Sequence, residues 1–157
     1  MAAKGLEIGD KAPDFKLETD RDGPVSRASL KGKPYIVYFY PKDDTSGCTK
    51  EAVDFTAAAR KFTNLGVFVL GVSKDSLEAH AKFRKKHRLG IALGSDPDIK
   101  MAQDWGVWGE KTLYGRKYMG MERATFLVDA RGVIAGAWRK VKVPGHVEAV
   151  LEAAKAL

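Results

Sequence analysis

Residues 35–72 follow the order of a buried strand, an amphipathic helix and a second buried strand. An unbroken run of β-branched and aromatic residues, YIVYFY, fills positions 35–40 between two prolines, which is typical of a strand buried on both faces. The apolar positions 48, 52, 55, 59 and 62 are spaced by four and three residues, and they predict one face of a helix that begins near Ser46 or Gly47. Residues 67–72 predict the next buried strand. A unit of this kind implies parallel strands joined by a right-handed crossover, so the chain is predicted to be α/β.

The remaining elements predict a mixed central sheet with helices on both faces, in one domain that spans residues 1–157. Residues 1–34 are rich in glycine and proline, and they favour turns and edge strands. A second helix is predicted from Asp75 or Ser76 to about His87, with Gly90 at its end, and a short third helix opens at residues 96–97 and closes at Gly106. Residues 107–120 are predicted to be a long loop. Residues 124–128 and 133–138 predict a hairpin, and residues 146–157 a last helix.

Charge and hydropathy patterning restrict the class of partner. The formal net charge is +7, and the densest basic cluster, residues 82–88, is predicted to be the exposed side of a helix. No aromatic residues interleave with the basic ones in the way that stacking on bases requires, so we expect no nucleic-acid partner. No apolar run approaches the roughly 20 residues of a membrane span, and the first residues lack an apolar signal segment. These patterns predict a cytoplasmic protein without a membrane partner.

Cys48, the chain's one cysteine, is predicted to lie in the first turn of a helix that directly follows a buried strand. The free N–H groups and the dipole at a helix N-terminus favour an anion there, so this thiol is favoured as a thiolate. A thiolate is a nucleophile, and it is also the species that peroxides oxidise to sulfenic acid. The alternative interpretation is a small, buried and inert hydrophobic residue.

The neighbours of this cysteine carry a family resemblance. The segment PKDDTSGC at positions 41–48 has the P-x-x-x-T-x-x-C pattern of peroxiredoxins, and residues 39–52 resemble the bacterioferritin comigratory protein, or Q-type, branch. Further matches occur in the same order at residues 71–76, 106–111 and 123–129, so the resemblance covers nearly the whole chain. It implies a thioredoxin-like fold and a thiol-dependent peroxidase that reduces hydrogen peroxide and organic hydroperoxides.

The resemblance also implies roles for individual residues. Cys48 is expected to be the peroxidatic cysteine, and the hydroxyl of Thr45 to hold the peroxide and the sulfur. Pro41 is expected to shield the thiolate from water. Arg123 is expected to lie beside the sulfur, where a fixed cation favours the thiolate and stabilises charge on the peroxide oxygens.

Two further residues are expected to support this site, and each assignment has a structural alternative. Glu51 is expected to orient Arg123, although an acid in a first helical turn also interacts favourably with the helix dipole. Tyr40 is expected to pack in the core and to wall the pocket rather than to react. Thr45 is alternatively a plain N-cap, and Arg123 an ordinary surface arginine.

Many Q-type relatives carry a second, resolving cysteine, which this chain lacks. Its two usual positions are occupied by Val53 and Arg84. The resemblance therefore implies a one-cysteine cycle, in which thioredoxin, glutaredoxin with glutathione, or a small thiol reduces the sulfenic acid. A thioredoxin-type disulfide oxidoreductase is disfavoured because C-x-x-C is absent. A peroxide-sensing or partner-binding module remains an alternative.

No cofactor is predicted. The three histidines, His80, His87 and His146, are widely separated and have no cysteine at metal-ligand spacing, and no phosphate-binding glycine loop is present. The sequence leaves the oligomeric state open between a monomer and a homodimer.

Overall fold

The structure, a computed structural model, describes residues 6–157. Its strands are β1 (Lys16–Thr19), β2 (Val25–Ser26), β3 (Tyr35–Phe39), β4 (Phe68–Ser73), β5 (Ala92–Ser95), β6 (Trp108–Leu113), β7 (Arg116–Met121), β8 (Ala124–Val128) and β9 (Ile134–Trp138). Its helices are α1 (Ser46–Ala57), α2 (Ala59–Asn64), α3 (Leu77–His87), α4 (Lys100–Asp104) and α5 (His146–Lys155). Seven strands form one sheet in the order β2-β1-β5-β4-β3-β8-β9.

The centre of this sheet is parallel and its flanks are antiparallel. Strand β4 pairs in parallel with both β3 and β5, as the strand–helix–strand pattern predicts. Strand β3 pairs in antiparallel fashion with β8 on its other side, and β8 with β9. All five residues of β3 are buried, which explains its unbroken apolar run. The predicted mixed sheet is confirmed.

Two apolar cores lie on opposite faces of the sheet. Helices α1, α2, α3 and α5 cover one face, where Phe55, Phe62, Phe83 and Val150 are buried. The other face is covered by α4, by Trp105 and by the segment that leads into β1. Because β3 is buried between the two cores, its carboxyl end emerges at an edge that both layers surround. The predicted helices on both faces are therefore confirmed.

Two helix boundaries differ from the prediction, and the end of α3 agrees with it. The helix expected to continue through Phe62 is interrupted at Ala58, which separates α1 from α2. Helix α3 ends at His87, as predicted, because the next residue, Arg88, adopts a left-handed backbone conformation with φ 54°. Helix α4 begins at Lys100 rather than at residues 96–97, because Ile99 also has a positive φ, 55°.

The predicted loop over residues 107–120 is wrong. Strands β6 and β7 form a separate two-stranded hairpin, paired from Trp108↔Met121 to Leu113↔Arg116. Its turn is Tyr114-Gly115, and both residues have positive φ, 52° and 76°, which matches the twist of a tight hairpin. Most of its strand residues are exposed, so the alternation of buried and exposed positions that normally indicates a strand is missing.

The basic cluster of residues 82–88 was predicted to be the exposed side of a helix, and this prediction is wrong for Arg84. Arg84 is partly buried, and its Nε and Nη2 donate to the two carboxylate oxygens of Asp20 at 2.6 and 2.9 Å. It also donates to the carbonyl oxygens of Leu89 and Ile91, at 2.7 and 2.6 Å. Arg84 therefore ties α3 to the turn after β1. Within residues 6–157, no helix is long and apolar enough to cross a bilayer.

Candidate active site

The candidate site lies where the carboxyl end of β3 meets the amino end of β8. The two strands are antiparallel, and their register places Phe39 opposite Ala124. The residues that follow β3 therefore lie close to the residue that precedes β8, which is Arg123. In this way the strand register brings together two segments that are 75 residues apart in sequence.

Cys48 is the third residue of α1, and its side chain is buried, with 1% exposed. The first backbone hydrogen bond of the helix runs from the N–H of Thr49 to the carbonyl oxygen of Thr45, so the N–H of Cys48 is among the free donors of the first turn. Arg123 Nη2 donates to the Cys48 sulfur at 3.4 Å. A fixed cation and the positive end of a helix dipole are thus both directed at one sulfur atom.

Glu51 lies one turn after Cys48 and is fully buried, and its Oε1 accepts a hydrogen bond from Arg123 Nη1 at 2.8 Å. The guanidinium group therefore bridges a carboxylate and the sulfur. Burial raises the pKa of Glu51, and although Arg123 opposes that effect the result is a pKa of about 7. For Arg123, burial alone lowers the pKa, but the neighbouring Cys48 and Glu51 outweigh it and the pKa is raised.

Gly47 permits the close approach of Arg123, and the sequence did not single it out. A Cβ atom at Gly47 would lie 3.1 Å from Arg123 Nη2, which is tighter than an ordinary contact. A side chain at this position would therefore displace the guanidinium group from the start of α1. Its place one residue before the cysteine was the only signal available in the sequence.

Thr45 and Pro41 lie on the loop between β3 and α1. Thr45 is the N-cap residue of α1, but its side chain makes no capping hydrogen bond. Its hydroxyl instead donates to the carbonyl oxygen of Lys42 at 2.9 Å, and the residue is exposed to solvent. Pro41 is half-buried at the start of the loop. The interpretation of Thr45 as a plain N-cap is therefore not supported, because its side chain does not make the capping hydrogen bond.

A buried polar network beneath this loop was missed by the sequence analysis. Tyr40 is packed in the core, as expected, and its hydroxyl donates to Asp43 Oδ1 at 2.6 Å. Asp43 Oδ2 lies 2.6 Å from His80 Nδ1, and His80 Nε2 lies 2.9 Å from the carbonyl oxygen of Gly94. The network joins the loop, α3 and β5. Asp43 and His80 are 37 residues apart, so the sequence offered no local sign of the contact.

A second histidine lies on the far side of Glu51. His146 is buried, and its Nε2 is 2.7 Å from the hydroxyl of Thr125 and 3.9 Å from Glu51 Oε2. Glu51 Oε2 has no hydrogen-bond partner among the described residues. Burial, and secondarily the charge of Arg123, lower the pKa of His146 to about 4. The imidazole is therefore neutral at physiological pH, and His146 adds no second cation to the Arg123–Glu51 pair.

Among residues 6–157, no group of three or more histidine, cysteine, aspartate or glutamate side chains is arranged to hold a metal ion. The site consists of one thiol, one guanidinium group, one carboxylate and the loop that carries Thr45 and Pro41.

Comparison with known proteins gives a consistent assignment. The AhpC/TSA family model matches residues 8–137. A Coxiella burnetii protein is 50% identical over 146 residues, which cover 93% of this chain and 97% of that protein. The peroxiredoxin Bcp of Bacillus subtilis is 46% identical over 150 residues, 96% of each protein. The solved structure of Xanthomonas campestris peroxiredoxin Q superposes with a TM-score of 0.87 at 40% identity, over 96% of both chains.

The predicted thioredoxin-like fold and family resemblance are thus confirmed. The chain has no second cysteine: position 53 is an exposed valine, and position 84 is the arginine bound to Asp20. The chain therefore belongs to the AhpC/TSA family, and within it is a peroxiredoxin, a thiol-dependent peroxidase, of the Bcp or Q branch without a resolving cysteine.

Proposed function

We propose that Cys48, Thr45, Arg123 and Pro41 carry out the peroxidase reaction, with Glu51 and Tyr40 in support. The observation that carries this proposal is the 3.4 Å hydrogen bond from Arg123 Nη2 to the Cys48 sulfur at the start of α1. It supports Cys48 as the nucleophile, because it places a fixed cation against the sulfur that attacks. In addition, it leaves a cation beside the place where charge develops on the peroxide.

In the first step, the thiolate of Cys48 attacks the nearer peroxide oxygen. The S–O bond forms as the O–O bond breaks, and the departing oxygen takes a proton to leave as water or an alcohol. Cys48 becomes sulfenic acid, and the peroxide gains the two electrons that the sulfur loses. Arg123 stabilises the negative charge that moves onto the oxygens, and the Thr45 hydroxyl orients the peroxide along the line of attack.

Glu51 and Pro41 act around this step. The carboxylate of Glu51 holds one amino group of the guanidinium, so that the other points at the sulfur. Pro41 has no N–H, and in its half-buried position at the start of the loop it limits access of water to the thiolate. Tyr40 anchors the loop through Asp43 rather than touching the substrate.

In the second step, an external thiol attacks the sulfenic sulfur, forms a mixed disulfide and releases water. A second thiol then attacks the disulfide and restores Cys48, so that two thiols are oxidised to one disulfide in each turnover. This route follows from the single cysteine. The reductant is thioredoxin, glutaredoxin with glutathione, or a small thiol, and dependence on such a thiol favours the reducing cytoplasm.

Substrates are proposed to include hydrogen peroxide and organic hydroperoxides. A solved structure of the Xanthomonas campestris bacterioferritin comigratory protein is described as giving insight into alkyl peroxide reduction by that protein. That protein's structural match to this chain supports the organic class here. The assembly is proposed to be a monomer or a homodimer, without a nucleic-acid or membrane partner.

The test is intact mass spectrometry of the reduced protein after one equivalent of hydrogen peroxide, in the presence of dimedone. We expect a dimedone adduct on Cys48 within seconds and none on Cys48→Ser. Continued peroxide consumption with added thiol then establishes turnover. A thiol that stays free and unlabelled contradicts the proposal, and an adduct without turnover favours a peroxide sensor.

A further inference from the structure

His80, a buried residue of α3, contacts the loop of residues 41–45 through Asp43. Asp43, at its centre, is buried, and both of its carboxylate oxygens are engaged at 2.6 Å, one by the Tyr40 hydroxyl and one by His80. Its backbone N–H donates to Asp75 Oδ2 at 2.9 Å. Pro41 and Thr45 lie two residues to either side of this anchor.

His80 is fully buried on α3, and both of its ring nitrogens face acceptors. The carbonyl oxygen of Gly94 can only accept, so Nε2 carries a hydrogen. A second hydrogen lies between Nδ1 and the carboxylate of Asp43, which is the arrangement of an imidazolium paired with a carboxylate. Burial alone lowers the pKa of His80, but the hydrogen bond and the charge of Asp43 outweigh it and the pKa is raised. The other facing titratable groups are Tyr40 and Asp75.

The loop needs such an anchor because its backbone is strained. Asp44 has φ 60°, a left-handed conformation that costs free energy in residues with a side chain. Its carboxylate is held at the surface by Lys86 and His87, both at 2.8 Å. One helix, α3, therefore holds two successive loop residues, Asp43 from inside and Asp44 from outside.

We propose that His80 is a positioning residue for the peroxide step, which acts through Asp43 to hold the loop that presents Thr45 and Pro41 to Cys48. This inference rests on the proposed roles of those three residues. Without His80, the Asp43 carboxylate is buried without its cation, and the loop can relax from its left-handed conformation. Thr45 then moves relative to the sulfur, and a displacement of about 1 Å at a reacting centre is enough to slow a reaction many-fold.

The helix offers a matched control for a merely structural role. Arg84, four residues after His80 on α3, makes another largely buried ion pair, with Asp20, but it holds the turn after β1 rather than the loop. His80→Gln and Arg84→Gln each remove one cation from the same helix. Only the first is expected to change how the loop faces the sulfur.

The experiment measures the two half-reactions separately by rapid mixing. The rate constant of the reduced protein with hydrogen peroxide reports the peroxide step, and reaction of the sulfenic form with the coloured thiol 5-thio-2-nitrobenzoate reports the reductant step. We expect His80→Gln to lower the peroxide rate constant about tenfold or more, with the thiol rate constant lowered less, and Arg84→Gln to leave the peroxide rate constant within about twofold. Tyr40→Phe removes the hydroxyl that donates to Asp43, and we expect this variant to lower the peroxide rate constant by about threefold. If His80→Gln does not fold, the rate constant of Tyr40→Phe tests the inference in its place.

The inference is overturned if His80→Gln folds and reacts with peroxide as fast as the wild type, or if both half-reactions fall equally in His80→Gln and Arg84→Gln. An unchanged rate in Tyr40→Phe, should His80→Gln not fold, also overturns it. A wild-type protein that does not react with peroxide would instead refute the proposed function, so the two failures are distinguishable.

Discussion

Glu51 makes folding stability depend on pH in a way that a single substitution isolates. Its pKa rises from 4.5 to about 7 when it is buried in the folded protein. A carboxyl whose pKa is raised by folding stabilises the folded state below its unfolded pKa, and this contribution is lost as the pH rises through the folded value. The full contribution is about 3 kcal/mol, of which roughly 2 to 3 kcal/mol is lost between about pH 5 and about pH 8.

Glu51→Gln keeps the shape of the side chain but cannot ionise. We expect the free energy of unfolding of the variant, relative to that of the wild type, to increase by roughly 2 to 3 kcal/mol from about pH 5 to about pH 8. Taking the difference between the two proteins at each pH is essential. The pKa of His146 is lowered to about 4, so the stability that this neutral imidazole contributes to the folded protein is lost as the pH falls below 6.5. This loss at low pH opposes the loss at high pH caused by Glu51, and it partly masks the Glu51 effect in the wild type alone.

The assay is urea unfolding of the reduced proteins, followed by circular dichroism at several pH values. Glu148→Gln, which removes an exposed carboxylate from α5, is the matched control. A stability difference for Glu51→Gln that does not change with pH refutes the reasoning. A difference that falls with rising pH shows that Arg123 outweighs burial.

Three further substitutions test the geometry of the site and of α3. Arg123→Met removes the donor to the Cys48 sulfur, and we expect the peroxide rate constant to fall about a hundredfold or more in rapid mixing, with the fold retained by circular dichroism; a loss below threefold argues against the role of the cation. Gly47→Ala places a methyl group 3.1 Å from Arg123 Nη2, and it should slow the same step about tenfold without large loss of stability; an unchanged rate means that the guanidinium tolerates the shift. Arg84→Ala leaves Asp20 buried without its cation, and we expect it to lower the free energy of unfolding in urea by about 3 kcal/mol. Adding Asp20→Asn to the same chain should restore most of that loss. Equal losses in the single and double variants contradict the ion-pair argument.

The sequence predicted those parts of the fold whose signals are local and buried. The run of residues 35–40 is apolar on both faces because β3 lies between two cores, so its pattern was unambiguous. The exposed hairpin β6–β7 buries little, and hydrophobic periodicity therefore carried no sign of it. The break at Ala58 and the late start of α4 were missed because they depend on individual backbone conformations rather than on composition.

The sequence alone determined that the chain has one thiol, that this thiol lies in the first turn of a helix after a buried strand, and that no second cysteine can resolve its oxidised form. Only the tertiary structure decided what surrounds the sulfur. Arg123 reaches Cys48 across 75 residues, and His80 reaches Asp43 across 37. Both contacts depend on strand register and on how α3 packs against the sheet. These are long-range choices set by the burial of whole faces, and no local pattern of residues encodes them.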